Sequence, residues 1–152
     1  MKKRLIKMAL SLLMMVCVSA CSSNAETVDE TDIGETTMIM KIGDTKVNVD
    51  WEDNQAVAAL RDMAREGDVT IQMSMYGGFE QVGSLGQNLP RDDKQTTTTS
   101  GDVVLYSGNQ MVVFYGSNSW SYTKLGHISD KNAEDITDLL SNGDVTITIS
   151  IE

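Results

Sequence analysis

From residue 38 to its end, this chain is dominated by short segments in which apolar and polar residues alternate, with glycines between them. Val145, Ile147, Ile149 and Ile151 alternate with Thr146, Thr148 and Ser150, and Val47, Val49 and Trp51 alternate with Asn48 and Asp50. A period of two sends successive side chains to opposite faces, so each such segment predicts a strand with one buried face. Residues 38–42, 69–75, 79–82, 102–106 and 122–128 also read as strands. Residues 111–115 are apolar throughout, so 110–115 predicts a strand buried on both sides. Gly43-Asp44 and Ser107-Gly108-Asn109 supply turn residues for two hairpins.

Two segments change to helical spacing. Within 53–66, Ala56, Leu60, Met63 and Ala64 share one face, with Asp53 as the expected N-cap and Gly67 as the C-cap. Within 130–142, Ala133, Ile136, Leu139 and Leu140 point inward, and Gly143 ends the helix. The sequence Gly-Asp-Val-Thr-Ile follows both helices, at 67–71 and 143–147. Glycine stops a helix and a β-branched run starts a strand, so the repeat reflects the same local task done twice. Residues 86–100 hold the lone proline, Pro90, and the run Thr96 to Thr99, and read as a long exposed loop. Eight short strands and two helices in about 115 residues predict a mainly β fold, a closed eight-stranded barrel with two short helices.

The other end of the chain is of a different kind. Lys2, Lys3, Arg4 and Lys7 precede an apolar run over 8–18, and small residues follow at Ser19 and Ala20. That order reads as a secretory signal over 1–20. The run of 11 residues is short of the roughly 20 needed to span a hydrocarbon core. Cys21 directly after Ser-Ala resembles the lipobox of bacterial lipoproteins. The resemblance implies that Cys21 becomes the lipidated N-terminus and tethers the chain to a membrane of the cell envelope, outside the cytoplasm. An ordinary cleaved signal with a soluble product is the alternative. Residues 21–37 are polar and acidic, too poor in apolar side chains to fold, and read as a flexible linker to a domain over 38–152.

Removing 1–20 leaves 8 basic against 22 acidic residues, a formal charge of −14. Such a surface repels nucleic acid and anionic headgroups, so nucleic-acid binding is not expected and the lipid alone would hold the membrane. With Cys17 in the signal and Cys21 lipidated, no thiol remains for a disulfide.

The segments 52–56, 101–106, Phe114-Tyr115 and 120–128 (Trp-Ser-Tyr-Thr-Lys-Leu-Gly-His-Ile) together resemble the bacterial cyclophilin-like family. The resemblance spans roughly 38–152 and implies a cyclophilin-type barrel. Cyclophilins isomerise X-Pro bonds, with an arginine that polarises the prolyl amide and an apolar seat for the ring. The comparable strand here runs Ile71-Gln72-Met73-Ser74-Met75-Tyr76, followed by Phe79-Glu80-Gln81. The aromatic and the glutamine are in place, and no arginine precedes them. The resemblance then implies a non-catalytic module for a peptide or small ligand. A peptidyl-prolyl isomerase in which Arg61 or Arg91 replaces the missing arginine is the alternative.

The candidate ligand-binding residues are Met73, Met75, Tyr76, Phe79, Gln81, Phe114, Trp120 and Tyr122, an aromatic and methionine set of the kind that lines small-ligand sites. Trp120 is expected in a loop. One histidine, His127, and no free thiol argue against a transition-metal site, and no cofactor is expected. Asp130, Asn132 and Glu134 imitate a calcium loop, but Asp135 stands at its glycine and Ser141 at its closing glutamate.

Overall fold

The structure, a computed structural model, describes residues 36–152. The expected signal, Cys21 and all but the last two residues of the linker lie outside the described residues. Thr37 is already paired with the C-terminus, its N–H donating to Glu152 O at 2.9 Å.

Every segment with a two-residue period forms a strand. The smaller sheet has the order β2 (Thr45–Val47), β1 (Met38–Ile42), β11 (Thr146–Ile151), β4 (Val69–Gln72). The larger sheet runs β3 (Val49–Trp51), β10 (Ser119–Ile128), β8 (Asp102–Tyr106), β9 (Gln110–Phe114), β6 (Glu80–Ser84), β5 (Ser74–Tyr76). A further strand, β7 (Lys94–Thr97), pairs with the first half of β10. All pairings are antiparallel.

The fold is mainly β with two helices, but the ladders do not close into the expected eight-stranded barrel. They form two packed sheets, a sandwich-like arrangement. Two of the expected strands break at single residues, Asn48 between β2 and β3 and Met73 between β4 and β5, where the chain leaves one sheet for the other. At these corners the amide bonds elsewhere: Asn48 N–H donates to Asp130 Oδ1 at 3.0 Å, and Met73 N–H to Val145 O at 2.8 Å. Sheets that share bent strands at their corners are a known way to fill a two-sided core. β6 and β4 approach closely beside one corner. A methyl group on Gly83 would lie 2.6 Å from Gln72 O and 2.6 Å from Ile71 Cγ2, so only glycine fits there. The strand β7 corrects the long-loop expectation for 86–100. Its polar, threonine-rich sequence gives no apolar alternation, yet it supplies a complete ladder to Ser119–Tyr122.

The core lies between the sheets, with Met40, Ile71, Leu105, Met111, Leu125 and Ile147 fully buried. Helix α1 (Gln55–Glu66) adds Ala56, Val57, Leu60 and Ala64 to it. Its cap is Asn54 and not the expected Asp53. The Asn54 amide does two jobs, accepting from Val57 N–H at 2.9 Å and donating to Lys124 O at 2.8 Å, which a carboxylate cannot do. Helix α2 (Ala133–Leu140) buries Ile136 and Leu140, while Ala133, expected inward, is exposed. Asn132 and Asp135 form a capping box, so the residue at the glycine position of the imitated calcium loop serves the helix start.

Gln81 joins α2 to the larger sheet. Its side chain is fully buried, and Nε2 donates to Leu140 O and Gly143 O, both at 2.7 Å, capturing carbonyls left open where the helix ends. Replacing Gln81 with leucine removes both donors and strands the acceptors. The expected loss is about 1–3 kcal/mol, read as a lower urea midpoint. An unchanged midpoint would contradict the clamp.

Candidate functional site

Alternation divides the larger sheet into two apolar faces. Val103, Leu105, Met111, Val113 and Leu125 face the main core, whereas Val104, Val112, Phe114 and Tyr122 form a second cluster with Phe79 and Val82 against it. Aromatic rings cover part of this second face. Phe79 stacks on Phe114 with centroids 6.5 Å apart, Phe114 meets Tyr122 edge-on at 5.7 Å, and Tyr122 meets Tyr106 edge-on at 6.1 Å.

Beside these rings the face opens into a cleft of about 350 Å³. Val82, Val112 and Tyr122 contribute its apolar floor, and Tyr76, Tyr106 and Trp120 stand around it. Trp120 is 58% exposed and Tyr76 67% exposed, unusual for such large side chains. Glu80, Gln110 and Asn118 are its polar members, and the Asn118 amide donates to the Tyr122 hydroxyl at 3.0 Å.

Glu80 is the outlier. Register places it between Tyr76 on β5 and Phe114 on β9. The residue is 6% exposed, and Oε2 is enclosed with no hydrogen-bond partner. Burial pushes its carboxyl up from the ordinary carboxylate range to about 7. The Tyr122 hydroxyl is also pushed up, first by burial and then by the charge of Glu80. A carboxyl that titrates near neutrality in an apolar cleft can accept a hydrogen bond, donate one or exchange a proton.

The expected site residues separate into three groups. Tyr76, Trp120 and Tyr122 line the cleft. Phe114 and Phe79 belong to the aromatic cluster, Phe114 completely buried. Met73 is in the main core, Gln81 holds α2, and Met75 is exposed but not part of the cleft wall. Gln81 faces the side of β6 opposite to Glu80 and Val82, and Met73 sits at the corner between β4 and β5 and turns into the main core. Trp120 is a strand residue opposite Thr96 and not a loop residue. Glu80, Val82, Tyr106, Gln110, Val112 and Asn118 were not expected. Alternation within β6 and β9 would have found Glu80, Val82, Gln110 and Val112, while Asn118 precedes β10 and has no periodic signal.

Neither candidate arginine lines this cleft. Arg61 is on α1, and Arg91 is ion-paired with Asp93 and lines a different depression with Asn54 and Thr123. Among the described residues, no lysine or arginine lines the aromatic cleft. His127 Nδ1 bonds to Asp102 Oδ1 at 2.8 Å, so its imidazole is partnered within the fold.

Two packed antiparallel sheets with an aromatic cleft on the outer side of the larger one define a β-rich, sandwich-like domain. The profile of the cyclophilin-like family matches residues 40–150, and the chain belongs to that family. No curated protein matches it. Among solved structures it is similar to the solution structure of the hypothetical protein AF2241 from Archaeoglobus fulgidus. That match has a TM-score of 0.55 and 12% identity, covering 74% of this chain and 92% of the other. At that identity the likeness is one of fold.

The raised carboxyl makes a stability prediction. The folded protein holds the Glu80 proton more tightly than the unfolded chain, whose glutamate titrates near 4.5. The stabilisation this gives is fully present below pH 4.5 and is lost as pH rises to about 7. Glu80→Gln carries no charge to desolvate. It is expected to be more stable than the parent at pH 8, by up to about 3 kcal/mol, with the difference closing towards pH 4. Urea unfolding at both pH values measures this, and a pH-independent difference would contradict it.

Proposed function

We propose that this protein is a lipid-anchored, extracytoplasmic, non-catalytic binding module that holds a peptide or small ligand in the aromatic cleft. The observation that carries the reading is the second apolar face of the larger sheet, covered by rings over Phe114 and lining a cleft at Val82 and Val112. A concave apolar site with a few convergent polar groups, of a few hundred Å³, has the dimensions of a small-ligand pocket. Exposed Trp120 and Tyr76 are the anchors such a site uses. An isomerase needs a cation at the prolyl amide, and the lining offers a carboxyl in its place. In this reading the sandwich is a flattened cyclophilin-type barrel whose seams are the corners at Asn48 and Met73. The anchor rests on the sequence of residues 1–21.

Trp120 emission reports the cleft, with Trp51, which is half-buried and donates to Met38 O at 3.0 Å, as the background to subtract. A fragment and peptide library is expected to contain members that shift Trp120 emission and lose the effect in Tyr106→Ala. No response from any member would contradict the reading. In a protease-coupled proline-peptide assay no acceleration is expected, and acceleration abolished by Trp120→Ala, at an exposed residue of the cleft, would establish the isomerase instead. Cys21→Ser is expected to release the domain or leave the precursor uncleaved, and unchanged processing with membrane retention would refute the anchor.

A further inference from the structure

We propose that the cleft recognises an alkylammonium group, a protonated amine on an apolar stem, with Glu80 as its counter-charge and the faces of Trp120, Tyr76 and Tyr106 around it. This rests on the reading of the cleft as a binding site and names the chemistry it selects.

Three observations converge. Among the described residues, Glu80 is the one charged side chain of the lining; it is 6% exposed, and Oε2 has no hydrogen-bond donor. The enclosed, unpartnered Oε2 makes the ionised carboxyl costly, and an ammonium N–H donating to the other oxygen, which is not among the enclosed atoms, offsets that cost. The surrounding side chains are aromatic, and ring faces attract cations, most strongly when water is excluded. The charge balance points the same way. No basic side chain lines the cleft among the described residues, and the chain beyond residue 20 has a formal charge of −14, so anions are repelled and cations drawn in.

Metal ions fit poorly. A hard divalent cation takes about six to eight oxygen ligands, and the cleft offers one carboxylate, two amides and phenols. An organic cation needs one carboxylate and apolar contact for its stem, and Val82 and Val112 provide the second. The groups that face Glu80 are the phenols of Tyr76 on β5, Tyr106 on β8 and Tyr122 on β10, with Gln110 on β9 and Asn118 before β10 neutral. Between pH 6 and pH 8 the charge of the site therefore follows Glu80. With the carboxyl at about 7, its ionised fraction rises about tenfold over that interval, and affinity for a cation rises by the same factor.

The test is a titration of the full-length protein in detergent with n-butylammonium, n-butanol and butyrate, followed by NMR shifts of the Trp120 indole at pH 6 and pH 8. A lysine-containing peptide and its acetyl-lysine counterpart form a second arm. Butylammonium is expected to bind at pH 8 at least about tenfold more tightly than butanol, and about tenfold more tightly than it does at pH 6. Glu80→Gln is expected to abolish both differences while leaving butanol binding in place. Tighter binding of the lysine peptide than of butylammonium identifies a peptide as the source of the amine, and the reverse identifies a free amine. Equal binding of butanol and butylammonium, unaffected by Glu80→Gln, would overturn the ammonium inference and leave the cleft standing. Tighter binding of butyrate would overturn it as well. Absence of any shift with every probe would overturn the cleft reading and the inference together.

Discussion

The apolar run of β9 imposes the condition from which the architecture follows. Met111, Val112, Val113 and Phe114 are all buried, and successive strand residues face opposite ways, so this strand needs dry cover on both sides. The main core covers Met111 and Val113. On the other side Phe79 and Tyr122 pack over Phe114 in a cluster too small to extend across the sheet. Where that cover stops, Val112 and Val82 become the floor of a cleft. The site is thus the unfinished edge of a second hydrophobic cluster, and its depth depends on the same rings that stabilise the strand.

Into that edge the register of β6 inserts a carboxyl. Glu80 is opposite Phe114 on one side and Tyr76 on the other, without a donor for Oε2, while its neighbour Gln81 spends both N–H groups on the end of α2. Adjacent residues of one strand therefore serve opposite ends: one ties helix to sheet, the other destabilises the fold when ionised. A buried carboxyl without a donor is a local inconsistency in the fold, and it is what the proposed ligand would relieve. The rest of the fold carries that cost through satisfied polar contacts, among them the Asn54 cap and the Asn132–Asp135 capping box.

Much of this was legible in the sequence. Each segment with a period of two became a strand, both helices lie where the helical spacing puts them, and the family resemblance agrees with the family match over 40–150. The corners were not legible, because Asn48 and Met73 are ordinary strand residues whose amides find partners far along the chain, at Asp130 and Val145. The strand β7 was hidden because a threonine-rich edge pairs through its backbone and shows no apolar alternation. At the site, Tyr76, Trp120 and Tyr122 were found by residue type, whereas Met73 and Gln81 were misplaced because type says nothing about which face a strand residue takes. Glu80 carries no signal by residue type between Phe79 and Gln81, although alternation with Gln81 puts it on the other face.

Glu80, enclosed beside aromatic rings, is predicted to titrate above the range of a surface glutamate. The direct measurement is a pH titration of its side-chain carboxyl by carbon-13 NMR in the free protein, assigned by comparison with Glu80→Gln. A midpoint near 7 is the predicted result. A midpoint in the ordinary carboxylate range, about 4 to 5, would mean that the carboxyl is solvated, and would contradict the cleft as described.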